Sequence, residues 1–227
     1  TTGLPTTNSS TGCRTSRTIK AGQRALGVAV SDAETVATCA GAVVRADRVV
    51  DGLAYERCTV GGDDATDAVV ALVDRIDRPD VSALLLAGVA PAWFNLLDLQ
   101  RLHRETGLPT LSVSFEASPG LAPAIREQFD GEPQAWRLDT YESLPPRRSL
   151  TVNDERLFVR AVGVDTPIAD DAGVGDDGRD DTSPLAPNCE AAQLVRGFTP
   201  EGGRPEPLRV ARVAARAGRE LGERLTE

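Results

Sequence analysis

The sequence predicts a mixed α/β fold in which a five-stranded sheet carries helices on its faces. Three observations lead there. Three apolar, strand-like runs follow one another directly between residues 25 and 60, which is the pattern of a meander. Helix-spaced and strand-like segments then alternate between residues 63 and 114. The chain has 227 residues, of which 41% are apolar, enough to bury the core of such a sheet.

The first strand covers residues 25–30. Residues 36–46 and 49–60 form the next two, joined by a tight turn at Asp47-Arg48. Gly61-Gly62 ends the third strand. Asp63 or Asp64 then caps a helix whose apolar residues Ala65, Ala68, Val69, Leu72, Val73 and Ile76 recur at helical spacing. Pro79 closes that unit, and residues 81–86 are the fourth strand. A second helix over residues 94–105 turns Leu96, Leu97 and Leu102 inward, Gly107 stops it, and residues 110–114 are the fifth strand. The order βββαβαβ fits an RNase H-like fold. A Rossmann fold would need parallel βαβ units from the start, and the meander argues against it.

Residues 1–22 read as a disordered tail and residues 23–227 as a single domain. Its C-terminal extension begins with a short helix at Ser118-Pro119. A hairpin follows, residues 150–152 and 157–164 across Asn153-Asp154. Residues 165–187 hold Asp170, Asp171, Asp176, Asp177, Asp180 and Asp181 among Gly and Pro, the composition of a solvated acidic insertion. A calcium loop is the sharper reading there, but the spacing is not that of an EF-hand. Helices over residues 189–197 and 207–225 finish the chain.

Net charge is −9, and Lys20 is the only lysine. An acidic chain with nearly all its positive charge on arginine suits a salt-loving host, where surface carboxylates keep a protein hydrated. Acidity normally disfavours nucleic acid. In molar salt the Debye length is about 3 Å, so a local arginine cluster can still hold a phosphate. Cys13, Cys39, Cys58 and Cys189 form no CxxC pair, which disfavours structural zinc and suits free thiols in the cytoplasm. A Cys39–Cys58 contact across the hairpin stays open. No segment has the length of a membrane span or the apolar core of a signal peptide. The chain contains no Met, so its first residue reads as a processed, misassigned or truncated terminus.

The fourth strand breaks at Ala87-Gly88-Val89-Ala90-Pro91 and then presents Trp93, Phe94 and Asn95. Strand exits of open α/β sheets are where working residues gather, yet this one holds no acid, thiol, hydroxyl or His. Ala87-Gly88-Val89 followed by Phe94-Asn95-Leu96-Leu97-Asp98 resembles the archaeal endonuclease dU family. Gly62-Asp63-Asp64-Ala65-Thr66, Glu105-Thr106-Gly107-Leu108-Pro109 and the run from Gly203 to Ala211 resemble further family motifs, in the same order. With the acidic composition, the resemblance identifies a haloarchaeal member. It implies an RNase H-like fold related to endonuclease V. It also implies metal-dependent nicking, in DNA repair, of DNA with deaminated bases such as deoxyuridine or deoxyinosine.

Such chemistry needs carboxylates converging on Mg²⁺ or Mn²⁺. Where the family pattern carries acids in the first strand, this chain has Ala29 and Val30; at the fourth strand exit it has Ala87. Asp64 matches a family acid. Asp32, just past the first strand, and Glu116, just past the fifth, are the residues that could complete a metal site with it. Helix capping by Asp64 and solvated loop acids at Asp32 and Glu116 are the structural alternatives. For nucleic acid, Trp93 could stack on an unpaired base and Asn95 read its edge, or Phe94 is core and Asn95 caps the second helix. Arg204 and Arg209 could pin a phosphate at the last helix, with Arg212 a helical neighbour. His103, on the second helix beside Arg101 and Arg104, reads as a surface histidine rather than a general base, and the exposed pair Arg147-Arg148 has no evident role. Two functions stand side by side: a divergent metal-dependent nuclease, and an inactive module of the same fold that binds nucleic acid or protein. A nucleotide-using enzyme has no P-loop to support it.

Overall fold

Arg24–Asp32 (β1), Val36–Arg45 (β2) and Val50–Thr59 (β3) form the expected antiparallel meander. Arg48 takes φ 73° in the turn between β2 and β3. The structure is a computed structural model and describes residues 18–169 and 183–226. The expectations for residues 1–17 and for the acidic residues 170–182 lie outside them. β1 reads as an unbroken apolar run because both its faces are covered. Leu26 and Val28 pack with one layer of helices, Ala25 and Ala29 with the other.

Ala65–Ile76 (α1) leads to Val81–Ala87 (β4), which lies parallel to β1. A single turn, Pro91–Phe94 (α2), and the helix Leu99–Thr106 (α3) lead to Thr110–Ser114 (β5), parallel to β4. Gly107 ends α3 at φ 68°. The second helix is therefore shorter than its sequence pattern suggests: Asp98 caps it by accepting the Arg101 amide at 2.9 Å. Strands one, four and five are adjacent, as the RNase H-like order requires.

The sheet has seven strands, two more than expected, in the order β3-β2-β1-β4-β5-β7-β6. Arg148–Val152 (β6) and Glu155–Val162 (β7) form the expected hairpin, with Asn153 and Asp154 both left-handed in its turn. β7 joins the main sheet by pairing antiparallel with β5. Ser118 turns its hydroxyl to the Gly120 amide, so the helix expected there starts later, as Ala122–Gln128 (α4). Gly131–Glu142 (α5) follows, unforeseen from the sequence. Residues next to the acidic segment are tied down: Ile168 bridges Leu185, and the Leu185 amide donates to Ser149 on β6.

Glu190–Gly197 (α6) and Glu206–Thr226 (α7) cover the sheet face opposite α1 and α3. α7 lies along β1 and β2 through Ala211, Ala214 and Ala215, which meet Ala29, Ala40 and Ala42. Small residues on both sides let the backbones approach closely. At Gly27 a Cβ would stand 2.2 Å from the Pro207 carbonyl carbon, so only glycine fits beneath the start of α7. Among the described residues no helix is long and apolar enough to cross a membrane.

Candidate functional site

β1, β4 and β5 run parallel, so their exits at Asp32, Ala87 and Ser114 share one edge of the sheet, where open α/β folds place their ligands. At its centre Ala29, Val30 and Ala87 meet Cys39, Cys58, Val69 and Leu97 around a crevice of about 10 Å³. That is room for one water at most. Burial pushes the Cys39 thiol far up and, with Asp64 and Asp32 nearby, the Cys58 thiol up to about 12. Without a metal both thiols stay protonated at neutral pH. Cys39 lies in register with Glu56 and Cys58 with Ala37, and both thiols are free.

Asp64 precedes α1 but does not cap it with its side chain. The carboxylate turns back onto β3 instead. It accepts the Thr59 amide at 2.9 Å, the Thr59 hydroxyl at 2.8 Å and the Asn95 Nδ2 at 2.7 Å. Partial burial pushes this carboxyl up, but those hydrogen bonds outweigh it and hold the group below the ordinary carboxylate range. The cap of α1 comes from Asn95, whose Oδ1 accepts the Ala65 amide at 2.9 Å. Asn95 Nδ2 also donates to the Thr59 carbonyl at 2.8 Å. Asn95 is fully buried, with both its side-chain donors and one of its two acceptor sites used. It joins β3, α1 and the β4 exit; it neither caps the second helix nor faces a ligand.

Asp32 sits at the exposed end of β1. Partial desolvation holds its carboxyl above the ordinary range, although it accepts the Ala92 amide and feels Arg219. Glu116 lines a different cavity, described below, with no other acid among the residues that form it. Among the described residues no three His, Cys, Asp or Glu side chains come together as a metal set. Ala29, Val30 and Ala87 add no donors, and Asp64 is committed to three protein donors. The described residues at this edge do not fit a catalytic divalent cation.

Pro91–Phe94 is an unusual turn. Ala92, Trp93 and Phe94 take φ values of 46°, 52° and 60° in succession, and none is glycine. Left-handed geometry costs such residues about 1–2 kcal/mol each, so the surroundings must impose it. Gly61 donates to the Ala92 carbonyl at 2.7 Å, and Asn95 to that of Pro91 at 3.0 Å. The buried Arg137 guanidinium donates to Phe94 at 3.1 Å and to the Gly61 carbonyl. It lies 3.9 Å from the Phe129 ring centre and 4.2 Å from that of Trp136. This frame leaves Trp93 50% exposed while its ring packs on Phe129 at 5.2 Å. Phe94 is half-buried against the same ring.

Beside the β4 exit lies a cavity of about 260 Å³ that the sequence did not reveal. Val89, Ala90, Leu121 and Phe158 give it apolar walls, among which Arg147, Arg160, Glu116 and the hydroxyls of Ser112, Ser114, Ser118 and Tyr141 are set. Ser112 and Ser114 share a face of β5 and pair with Arg160 and Phe158 on β7. Arg160 donates to the Pro145 carbonyl at 2.6 Å and to the Tyr141 hydroxyl at 3.1 Å. Arg147 is buried, not exposed as expected. It donates to the carbonyls of Ser118 and Glu116 and lies 4.0 Å from the Phe158 ring centre. The Ser-Val-Ser alternation was the available sequence signal; the partners on β7 were too distant in sequence to see.

On α7 the side chain of Arg209 grips Glu206 through a two-pronged ion pair at 2.7 and 2.5 Å. Arg204 instead lies over the Phe115 ring, 4.4 Å from its centre. His103 is half-buried, with Nδ1 2.8 Å from the Leu108 carbonyl.

The fold has relatives. A protein of unknown function from Archaeoglobus fulgidus is similar in structure, with a TM-score of 0.67 at 25% identity over 86% of this chain and 96% of that one. Endonuclease V from Streptomyces avermitilis shares the fold, with a TM-score of 0.52 at 19% identity over 90% and 85% of the two chains. A UPF0215 protein of Pyrobaculum calidifontis is 32% identical over 185 residues, 80% of this chain and 87% of that one. One from Thermococcus kodakarensis is 31% identical over 78% of each chain. The model of the endonuclease dU family matches residues 21–172. The chain belongs to the endonuclease dU family.

Proposed function

We propose that this chain binds DNA at the shared strand edge, holds an unpaired nucleotide in the Arg147–Arg160 cavity, and lacks its family's metal-assisted cleavage. The cavity carries the reading. Two guanidiniums, one carboxylate and four hydroxyls line, with apolar walls, a space of about 260 Å³, suited to a nucleotide's base. Trp93, half exposed on the Pro91–Phe94 turn that follows the same strand exit, offers a face for stacking. Deaminated bases such as deoxyuridine or deoxyinosine are the substrates that family membership suggests, and repair of DNA in the cytoplasm the process. The lysine-poor acidic composition fits work at high salt.

The test is fluorescence anisotropy in molar KCl, with oligonucleotides carrying one unpaired deoxyuridine or deoxyinosine. Trp93→Ala is expected to weaken binding about tenfold, from the loss of one stacked base. Undetectable binding, or equal affinity in the variant, counts against the proposal.

A second reading keeps the nuclease: Asp32, Asp64 and Glu116 would hold Mg²⁺ or Mn²⁺. Its support is that Asp32 and Asp64 lie near enough to each other's neighbourhood for both to raise the Cys58 thiol. The Asp64 hydrogen bonds and the separate place of Glu116 weigh against it.

A further inference from the structure

We propose that Arg204, Arg212 and Arg216 form a phosphate track on the flank of α7 that carries the backbone of single-stranded DNA across the strand edge. The inference rests on the DNA reading above and adds the path of the strand. Ala211, Ala214 and Ala215 face the sheet, so Arg212, Arg216 and Arg219, at i, i+4 and i+7, share a flank of the helix. Arg204, just before the helix, is drawn into that stripe by its stack on Phe115, the residue following β5. At the far end Arg219 acts on Asp32, at the exit of β1. The stripe therefore runs from one strand exit to the other.

Charge pairing sets these three arginines apart from their nearest neighbours on α7: Arg209 is neutralised by Glu206 and Arg219 by Glu223, while Arg224 lies beyond the stripe in the last turn. Arg204, Arg212 and Arg216 make no ion pair among the described residues. They also act on one another: burial lowers the pKa of Arg204, and Arg212 and Arg216 lower it further, with Glu155 opposing weakly. Like charges at i, i+4 destabilise a helix, and a chain of net charge −9 has acids to spare. A cluster of unneutralised cations in such a chain is suited to an anion from outside. Arg212 and Arg216 stand about 6 Å apart along the helix axis, near the separation of successive phosphates in one strand. The stripe is one side chain wide, which favours a single strand over a duplex.

The test is the salt dependence of binding to a labelled oligo-thymidine between about 0.3 and 1.5 M KCl, where each lost phosphate contact reduces the slope of log K against log salt by about 0.7. Arg212→Ser combined with Arg216→Ser is expected to flatten the slope by about 1.4, which makes binding about fivefold weaker at 0.3 M and nearly unchanged at 1 M. Arg212→Lys combined with Arg216→Lys should keep the wild-type slope, as should Arg104→Ser on the opposite helical layer. If the wild type binds and the double serine variant keeps its slope, the track is wrong and the DNA reading survives. Equal flattening in Arg104→Ser also overturns it. Failure of the wild type to bind at any salt overturns both.

Discussion

Replacing Asn95 with Ala removes three hydrogen bonds at a position solvent does not reach. The Ala65 amide loses its cap and the Thr59 carbonyl loses a donor, at about 1 kcal/mol each. The Asp64 carboxylate loses a charge-assisted bond, at about 2 kcal/mol. The sum is about 4 kcal/mol, and for a domain of this size about 2–4 °C of Tm accompanies each kcal/mol, hence a fall of about 10 °C. Urea unfolding in molar KCl, followed by far-UV circular dichroism, should show the loss as a lower midpoint with an unchanged slope. Asn95→Asp would keep an acceptor for Ala65 but set a second carboxylate against Asp64, so its deficit should be larger at neutral pH than in acid. A loss below about 1 kcal/mol for Asn95→Ala would mean that water replaces these bonds, and the view of Asn95 as a buried hub would be mistaken.

Other perturbations follow from the same geometry. Gly27→Val drives a side chain into the backbone of Pro207 and should cost about 3 kcal/mol or more, read as a lower Tm; unchanged stability would contradict the close approach of α7. Asp64 has a depressed pKa in the folded chain, so its contribution is present above the ordinary carboxylate pKa and is lost as pH falls through the folded value. Thr59→Val, which deletes one of its donors, should move the acid-unfolding midpoint to higher pH; an unmoved midpoint would exclude that linkage. Asp32 has the opposite sign: its folded pKa is raised, so its ionised form costs stability above that value. Asp32→Asn should be neutral or stabilising near pH 7, with the gain vanishing in acid, and a large loss near pH 7 would contradict this.

Strands β1, β2, β4 and β5 were legible because burial on both faces makes them largely apolar runs, β3 because it follows β2 across a tight turn, and the order βββαβαβ then leaves few topologies. α5 was not, because its buried residue is Arg137, a charged side chain satisfied by carbonyls and aromatic rings rather than by apolar spacing. Asn95 looked like the cap of the helix that follows it; it caps one that begins 30 residues earlier. The left-handed turn at Pro91–Phe94 has no glycine to announce it, and the surrounding hydrogen bonds come from Gly61, just past β3, and from α5. The substitution of acids by Ala29, Val30 and Ala87 was visible from the family resemblance. What the structure adds is that apolar side chains and two buried thiols close that space, while the cavity holding Arg147 and Arg160 opens beside it.

Binding and cleavage can be separated in one experiment. The full chain is mixed with oligonucleotides carrying deoxyuridine or deoxyinosine in molar KCl, with Mg²⁺, with Mn²⁺ or with EDTA, and each mixture is assayed for both complex and nicked product. DNA bound equally well with metal or EDTA, and recovered intact, is the expected outcome. Metal-dependent nicking that disappears in Asp32→Asn would contradict it and establish the nuclease reading in its place.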